Sequence, residues 1–195
     1  MNPYVDADLE LILTFQQGDE SAFDVLYERH HLSTLNVAFR LLGSRDAAED
    51  IAQEVFVKLY TSPKSYHPTA KFTTWLYSVT YNACIDEMRR SKNTGALPEG
   101  YDLCIPDTYI SPEFAAESNE LARVVQSAIA SLPEKQRAAV VLQRYEGLTY
   151  QEIADVLKTS LPSVESLLFR AKESLKKRLA SYVETTEVLQ PQLLK

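Results

Sequence analysis

The chain of 195 residues contains little of what marks disulfide-rich, metal-binding or β-rich proteins. Its two cysteines and three histidines lack the close spacing of metal ligands, and its five glycines are few. No Val/Ile/Thr-rich alternating run stands out, which excludes an obvious β-fold. No apolar run reaches membrane-spanning length, and no basic segment followed by an apolar run precedes the first helical pattern. We therefore expect an all-α, cytoplasmic protein without a metal, a cofactor or a membrane insertion.

Basic residues are also scarce, because 20 Lys and Arg stand against 27 Asp and Glu and give a formal net charge of −7. Free-standing DNA-binding proteins usually present a basic surface. The acidic excess is greatest in residues 96–131, and only residues 132–195 are net basic. A chain charged in this way should bind duplex DNA weakly by itself. It would need a partner that supplies most of the phosphate contacts.

Helical periodicity divides the chain into two parts separated by a segment rich in Gly, Pro and acidic residues. In the first part, breaks at Gly18 and Gly43 separate successive helical patterns. The pattern returns near Glu113 and continues to about Tyr182, after which the tail looks frayed. The prediction is two helical domains and a flexible linker: a first domain at 9–92, an acidic linker at 93–112 and a second domain at 113–182.

The stretch that begins at Thr149 has the pattern of a helix-turn-helix. Thr149 is placed to cap a helix, and Glu152 three residues later can complete a capping box. Ser160 can cap a second helix after a short break. Val164 and Leu168 repeat at i, i+4 and are expected to pack back on the first helix.

The opposite face of that second helix carries Ser163, Ser166 and Arg170. A helix presented in this way can enter the major groove of DNA. The same pattern also fits a plain helical hairpin whose charged face is only solvated.

Aromatic and basic residues alternate in the last helical pattern of the first domain. Such a mixture suits single-stranded nucleic acid, because bases stack on rings while cations follow the phosphates. Trp75 could instead be a core residue, or it could do both by exposing one edge. A solvated helix face is the alternative for Asn82, Arg89 and Arg90. The residues of this group are Lys71, Phe72, Trp75, Tyr77, Tyr81, Asn82, Arg89 and Arg90.

A helix predicted over residues 46–60 has an acidic, polar stripe. Paired carboxylates can act in acid–base catalysis, but no histidine or poised nucleophile lies nearby in the sequence. Docking of a basic partner fits better, with Phe56 and Val57 adding apolar contact beside the charge. The stripe consists of Glu49, Asp50, Gln53 and Glu54.

In their order and spacing these motifs resemble a known family. Residues 48–56 (AEDIAQEVF), residues 72–77 (FTTWLY) and the later Asn82, Asp86 and Arg89-Arg90 resemble region 2 of bacterial sigma factors. Residues 132–172 resemble their region 4. Because no other large region is present, the chain resembles an extracytoplasmic-function (ECF) sigma factor, and the resemblance extends from about Leu9 to Leu179.

The resemblance implies a promoter-specificity subunit of RNA polymerase with no active site of its own. Its expected partners are core RNA polymerase, promoter DNA and an anti-sigma factor, and the acidic linker would thread near the polymerase active site. Core-polymerase binding would fall to Asp50, Gln53, Glu54 and Phe56. Capture and melting of the −10 element would fall to the loop at residues 66–72 and the following helix, with Tyr66, Lys71, Phe72, Trp75, Asn82, Arg89 and Arg90. Reading of the −35 element would fall to Ser163, Glu165, Ser166, Arg170 and Lys172.

The second helix of the helix-turn-helix departs from the family pattern at two positions. Many members carry Lys or Arg where this chain has Glu165, and often Arg where it has Leu167. Direct readout by paired arginines is therefore reduced, and Arg170 and Lys172 would make more of the phosphate contacts. Glu165 could accept a hydrogen bond from a cytosine amino group or could simply be solvated.

Two other classes of protein remain to be weighed. A stand-alone helix-turn-helix regulator with a sensing N-terminal domain would share the C-terminal pattern. It would not need the acidic stripe or the aromatic and basic residues of the first domain. A helical enzyme has no supporting group of residues in this sequence.

Overall fold

The computed structural model describes residues 8–94 and 119–189, and these residues form α-helices, one short 3-10 helix and no strand. The prediction of an all-α fold is confirmed. The predicted linker from residue 95 onward, and the predicted return of helix at Glu113, lie outside the described residues. The N-terminal unit consists of α1 (Leu9–Gln16), α2 (Glu20–Leu42), α3 (Arg45–Thr61), the 3-10 helix (Pro63–Ser65) and α4 (Phe72–Thr94). The C-terminal unit consists of α5 (Asn119–Ala130), α6 (Glu134–Arg144), α7 (Tyr150–Val156) and α8 (Leu161–Leu189).

The predicted breaks between the first three helices are present, and side-chain caps follow them. The Asp19 carboxylate accepts a hydrogen bond from the backbone N–H of Ser21 at 3.0 Å and caps α2. Helix α2 ends at Gly43, whose φ of 73° lies in the left-handed region that favours glycine. Ser44 Oγ then accepts from the N–H of Ala47 and caps α3.

The core of the N-terminal unit lies where α2 packs against α1, α3 and α4. Apolar residues at helical spacing supply it, as the periodicity predicts. The predicted inward face of α3 is buried from Ala48 to Leu59. A polar contact joins α1 to α2 as well, since Asp8 pairs with Arg29 and with Nε2 of the buried His30. The fully buried apolar side chains of this unit include Ile12, Leu26, Val37, Leu59, Phe72 and Leu76.

The C-terminal unit is built around α8, which contacts α5, α6 and α7. Val164 and Leu168 are buried, as the i, i+4 spacing predicts. Helix α8 continues to Leu189 and so extends past the predicted domain end near Tyr182. The sequence offers a reason, because neither glycine nor proline follows Tyr182 until Pro191.

The two units contact each other directly, since α2 and α4 of the N-terminal unit touch α5, α6 and α7 of the C-terminal unit. Nothing in the local patterning of the sequence predicted this contact. None of the helices within the described ranges is both long enough and apolar enough to cross a membrane.

Replacing Leu59 by Ala should lower the free energy of unfolding by about 2–5 kcal/mol, because its fully buried side chain would leave a cavity. Val57→Ala on the same helix is the control, since Val57 is 53% exposed and should change stability by at most about 0.5 kcal/mol. Urea unfolding followed by circular dichroism measures both. Equal losses in the two variants would contradict the described packing of α3.

Candidate nucleic-acid interface

Helix α7 begins with the predicted capping box. Thr149 Oγ1 accepts from the N–H of Glu152 at 3.3 Å, while the N–H of Thr149 donates to Glu152 Oε2 at 2.8 Å. Both bonds satisfy groups that would otherwise lack partners at the start of a helix. The capping box fixes where α7 begins, and the buried side chains of Ile153 and Ala154 face inward as predicted.

A tight turn joins α7 to α8. Lys158 adopts φ = 48°, in the left-handed region, where a non-glycine residue is uncommon. The N–H of Thr159 donates to the carbonyl oxygen of Ala154 at 2.9 Å and closes the turn. Ser160 precedes α8, and its carbonyl oxygen accepts from Ser163 and Val164. The two helices are thus fixed in a helix-turn-helix.

The outward face of α8 holds the residues predicted for the −35 element. Glu165, Ser166, Arg170 and Lys172 are exposed, whereas Ser163 is half-buried. Arg170 Nε donates to the carbonyl oxygen of Ser166 at 3.2 Å, which holds the guanidinium along the helix.

Phe169 is a member of this face that the sequence reasoning missed. Its ring is 68% exposed, the highest value among the large hydrophobic side chains that the structure describes as exposed. It lines a shallow concave surface together with Glu165, Ser166 and Arg170. The spacing could have revealed it, because Leu168 faces inward and the next residue lies about 100° around the helix. The Phe169 ring is thus available for contact with a partner on the same face as Arg170.

The acidic stripe of α3 borders an aromatic groove. Glu49, Asp50, Gln53 and Glu54 are exposed, as predicted, and Arg45 Nε contacts Glu49 Oε1 at 2.8 Å. The groove lies between α2 and α3, and its rings contact one another across the two helices. Its lining includes Phe23, Tyr27, His31, Phe56, Val57 and Tyr60.

Within this groove the contacts are edge-to-face and stacked. The rings of Tyr27 and Phe56 meet at 4.9 Å between centroids in an edge arrangement, and those of Phe23 and Tyr60 meet at 5.1 Å. Phe56 itself is only 3% exposed, so it forms the floor of the groove, while Val57 is exposed at its edge. The stripe and the groove together offer charge beside apolar surface.

Four of the rings that the sequence analysis assigned to the −10 loop or to the aromatic and basic group are buried: Tyr66, Phe72, Tyr77 and Tyr81. Tyr66 and Phe72 are 1% and 0% exposed, so neither presents a stacking face in this structure. The hydroxyl of Tyr66 donates to the carbonyl oxygen of Ala70 at 2.9 Å and closes the loop at residues 66–72. The sequence pattern could not separate the buried from the exposed rings, because aromatic residues beside cations look alike in both settings. These two side chains support the loop from beneath.

Trp75 is half-exposed and lies against the buried pair. Its ring centroid is 5.9 Å from that of Tyr66 and 5.9 Å from that of Phe72. One side of the indole therefore packs on the core while the other remains accessible. The packing agrees with the core alternative for Trp75, and its contact with a base stays a prediction.

The polar residues further along α4 are engaged within their own helix. Asn82 Nδ2 donates to the carbonyl oxygen of Ser78 at 2.6 Å, and its side chain is half-buried. Arg89 and Arg90 are exposed and lie 3.5 Å from carboxylates one helical turn away. Such exposed ion pairs contribute little to stability, so both guanidiniums can exchange partners at low cost.

Lys71 reaches across to the C-terminal unit. Its Nζ lies 2.8 Å from Oε1 of Glu152, the capping-box glutamate of α7. Burial raises the pKa of Glu152, but the hydrogen bonds from Lys71 and Thr149 outweigh it, and the pKa lies below its usual value. Glu152 is therefore ionised at neutral pH, and one carboxylate serves both the helix start and the contact between units.

Three further contacts join the two units. The hydroxyl of Tyr77 donates to Glu146 Oε2 at 2.6 Å, and that of Tyr81 donates to Glu134 Oε1 at 3.2 Å. The guanidinium carbon of Arg40 lies 4.0 Å from the ring centre of Tyr145. Burial, followed by the nearby carboxylate, raises the pKa of both phenols far above the usual value, so both remain donors at any physiological pH.

Among the described residues, no group of three or more His, Cys, Asp or Glu side chains could hold a metal ion. Burial raises the pKa of the Cys84 thiol to about 12, which leaves it protonated and a poor nucleophile at neutral pH. The described residues thus form three surfaces: the outward face of α8, the aromatic groove beside the acidic stripe, and the loop at residues 66–72 beside the half-exposed Trp75.

Comparison with known proteins places this chain in a family. Residues 26–94 match sigma-70 region 2, and residues 122–175 match sigma-70 region 4. The RNA polymerase sigma-H factor of Pseudomonas aeruginosa is 31% identical over 182 residues, which are 89% of this chain and 94% of that protein. The ECF RNA polymerase sigma factor SigW of Bacillus subtilis is 33% identical over 173 residues, which are 84% of this chain and 92% of that protein.

Solved structures show the same fold. CnrH in complex with the cytosolic domain of CnrY superimposes with a TM-score of 0.68 at 23% identity, covering 90% of this chain and 99% of that one. The sigma factor RpoE in complex with the anti-sigma factor NepR from Bartonella quintana gives a TM-score of 0.67 at 22% identity, covering 81% and 96%.

The fold and the matches to both sigma-70 regions show that this chain is a sigma factor of the sigma-70 type. More particularly, the chain belongs to the ECF group. It directs RNA polymerase to promoters at the start of transcription, as the sequence resemblance predicted.

Proposed function

We propose which surface of the chain performs each step of promoter recognition. Helix α3 docks on core polymerase, the loop at residues 66–72 with the start of α4 captures the unpaired −10 strand, and α8 reads the −35 element. The observation that carries this proposal is the outward face of α8, where Ser166, Phe169 and Arg170 stand exposed together. The domain bounds 9–92 and 113–182, joined by a linker at 93–112, are part of the proposal.

Docking rests on the combination of the acidic stripe and the aromatic groove. Asp50, Gln53 and Glu54 are exposed on α3, and Gln53 also lines the groove. The carboxylates steer a basic partner and fix its orientation. The aromatic floor, including Phe56, supplies apolar surface that a bound helix can bury. The partner is the coiled coil of the largest subunit of the polymerase, as the family resemblance implies.

Reading of the −35 element combines a phosphate contact with a weak base contact. Arg170 and Lys172 face phosphates, and Phe169 contacts the methyl group of a thymine in the major groove. Glu165 faces the same groove, where it accepts from a cytosine amino group or stays solvated. Ser163 and Ser166 are candidates for base or backbone contacts.

Capture of the −10 strand rests on a loop backed by core rings. Trp75 offers its accessible side to a base, while Tyr66 and Phe72 hold the loop from beneath. Lys71 is placed to meet a phosphate once it leaves Glu152. Asn82 turns its amide from Ser78 toward an unpaired base, and Arg89 and Arg90 follow the strand.

In this proposal the chain acts in the cytoplasm and catalyses no reaction itself. An anti-sigma factor binds it when transcription from its promoters is not required. The groove beside the acidic stripe and the outward face of α8 support a binding role. The structural neighbours CnrH and RpoE are described in complexes, and the latter explicitly with an anti-sigma factor.

A mobility shift of duplex promoter DNA tests the assignment against a stand-alone regulator. A regulator shifts DNA alone, whereas this chain should do so only with core polymerase.

Docking predicts a charge-dependent affinity for polymerase. The double variant Asp50→Lys, Glu54→Lys should bind core polymerase about tenfold more weakly, since like charges would then face the basic partner. Glu10→Lys, Glu173→Lys is the matched control, because it reverses two exposed charges on α1 and α8 that neither belong to the stripe nor line the groove. A fluorescence titration measures holoenzyme formation, and an unchanged affinity of the α3 variant would remove the docking assignment.

The −35 assignment predicts separable effects on one helix face. Phe169→Ala should reduce preference for thymine at one position by about 1–3 kcal/mol, because the methyl contact is lost. Arg170→Ala and Lys172→Ala should weaken every promoter alike and lower the salt slope by about one unit each. Glu165→Lys changes preference only if this side chain reaches a base, and otherwise strengthens binding uniformly. Transcription from a promoter library separates these results, and a −35 preference unaffected by all four changes would contradict the assignment.

The −10 assignment predicts a defect in melting with normal docking. Asn82→Ala should impair opening of the promoter, because its amide acts only on an unpaired base. Polymerase binding should stay unchanged, which the docking titration checks. Permanganate footprinting reports the unpaired thymines, and normal reactivity across the −10 region would count against the proposal.

A further inference from the structure

We propose that Gln16, the last residue of helix α1, is a positioning residue that holds the loop at residues 66–72 in the arrangement that captures the unpaired −10 strand. This inference rests on the function proposed above for that loop. It concerns a helix that the family comparison leaves without a role, because α1 ends at Gln16 and the residues that match sigma-70 region 2 begin at Leu26. Gln16 acts through the backbone of the loop.

The Gln16 side chain contacts both ends of the 3-10 helix that leads into the loop. Its Nε2 donates to the carbonyl oxygen of Pro63 at 2.9 Å and to that of Tyr66 at 3.0 Å. A glutamine amide has two hydrogens to donate, and each of them meets one of these carbonyls. One half-buried side chain of α1 therefore fixes the backbone at the point where the loop begins.

Tyr66 carries this constraint across the loop. Its hydroxyl donates to the carbonyl oxygen of Ala70, so the residue whose backbone Gln16 holds also closes the loop with its side chain. The ring of Tyr66 lies in an edge arrangement against that of Phe72, with 5.7 Å between centroids, and it contacts Trp75 as well. Because buried rings are closely packed, a shift of the Tyr66 backbone displaces the loop and the indole together.

The beginning of α1 is joined to the end of the loop. Asp8 precedes the helix at its N-cap position, and its carboxylate lies 2.8 Å from Nε2 of His30. The imidazole of His30 in turn contacts the ring of Phe72, with 5.5 Å between centroids. Helix α1 is thus connected to both ends of the loop. Asp8 and His30 are buried, whereas Gln16 can be changed with less effect on the core.

A fixed loop matters for strand capture because a preformed surface costs less free energy to bind. If the loop has several arrangements, the strand must select one of them, and the apparent affinity falls by the fraction of molecules that hold it. Docking on polymerase is expected to be independent of Gln16, which belongs neither to the acidic stripe nor to the lining of the aromatic groove. The defect should therefore appear at the −10 element alone.

Hydrogen–deuterium exchange of the full-length chain tests the contact. Gln16→Met keeps a side chain of similar length without charge but has no donor for the two carbonyls. Peptides that cover the loop should exchange about five- to tenfold faster, because two hydrogen bonds of ordinary strength are lost, while peptides of α8 should not change. Gln17→Met is the matched control, since the adjacent Gln17 is exposed.

Promoter opening tests the consequence for function. With saturating core polymerase, Gln16→Met should open the promoter about five- to tenfold more slowly than the wild type, and Gln17→Met should open it normally. Gln16→Glu places a carboxylate against two carbonyl oxygens and should be more impaired than Gln17→Glu, which adds the same charge at an exposed site. Permanganate reactivity followed over time measures these rates.

Two measurements separate positioning from general loss of structure. The unfolding temperature and the holoenzyme affinity of Gln16→Met should stay close to those of Gln17→Met. In a promoter library, Gln16→Met should reduce discrimination among −10 bases and leave the −35 preference unchanged. A residue with a merely structural role would lower polymerase affinity, and its loss would weaken every promoter alike.

Each outcome decides the proposal. Equal exchange of the loop in the two methionine variants, or a fall in holoenzyme affinity that accounts for the slower opening, would overturn it. Normal opening by Gln16→Met while Asn82→Ala is impaired would overturn this inference alone. Normal opening by both variants would overturn the proposed function of the loop and this inference with it.

Discussion

Helix α4 is packed on two sides, and the arrangement of the whole chain depends on this constraint. Its apolar side, with Phe72 and Leu76 fully buried, completes the core that α2 and α3 form. Its other side presents Tyr77 and Tyr81 to the C-terminal unit. Because one helix serves both the core and the contact between units, the loop at residues 66–72 that leads into it is tied to both.

The sequence predicts the helices well, because the signals that start and end them are local. The capping box of Thr149 and Glu152, the stop at Gly43 and the cap at Ser44 are all present. The extension of α8 past Tyr182 was missed, although the lack of a breaker pointed to it. Helix boundaries follow from a few adjacent residues, and such interactions are visible in a single sequence.

The candidate site is less predictable, because exposure depends on packing between distant segments. Tyr66 and Phe72 look like stacking residues beside Lys71, yet their rings are buried. Phe169 could have been found from the register of Leu168. The pairing of Lys71 with Glu152 could not have been predicted from the sequence, because these distant residues meet only through the contact of the two units. The residue roles drawn from the family resemblance remain predictions that the proposed experiments test.

The contact between the two units, made by Lys71, Tyr77 and Tyr81 with glutamates of the C-terminal unit, responds to ionic strength in a particular way. One of its hydrogen bonds is an ion pair, but those of Tyr77 and Tyr81 are made by neutral, buried phenols, which dissolved salt screens poorly. Strand binding releases counterions from phosphates and weakens steeply as salt rises. Concentrated electrolyte therefore weakens the binding of DNA by this chain more than it weakens the contact between its two units.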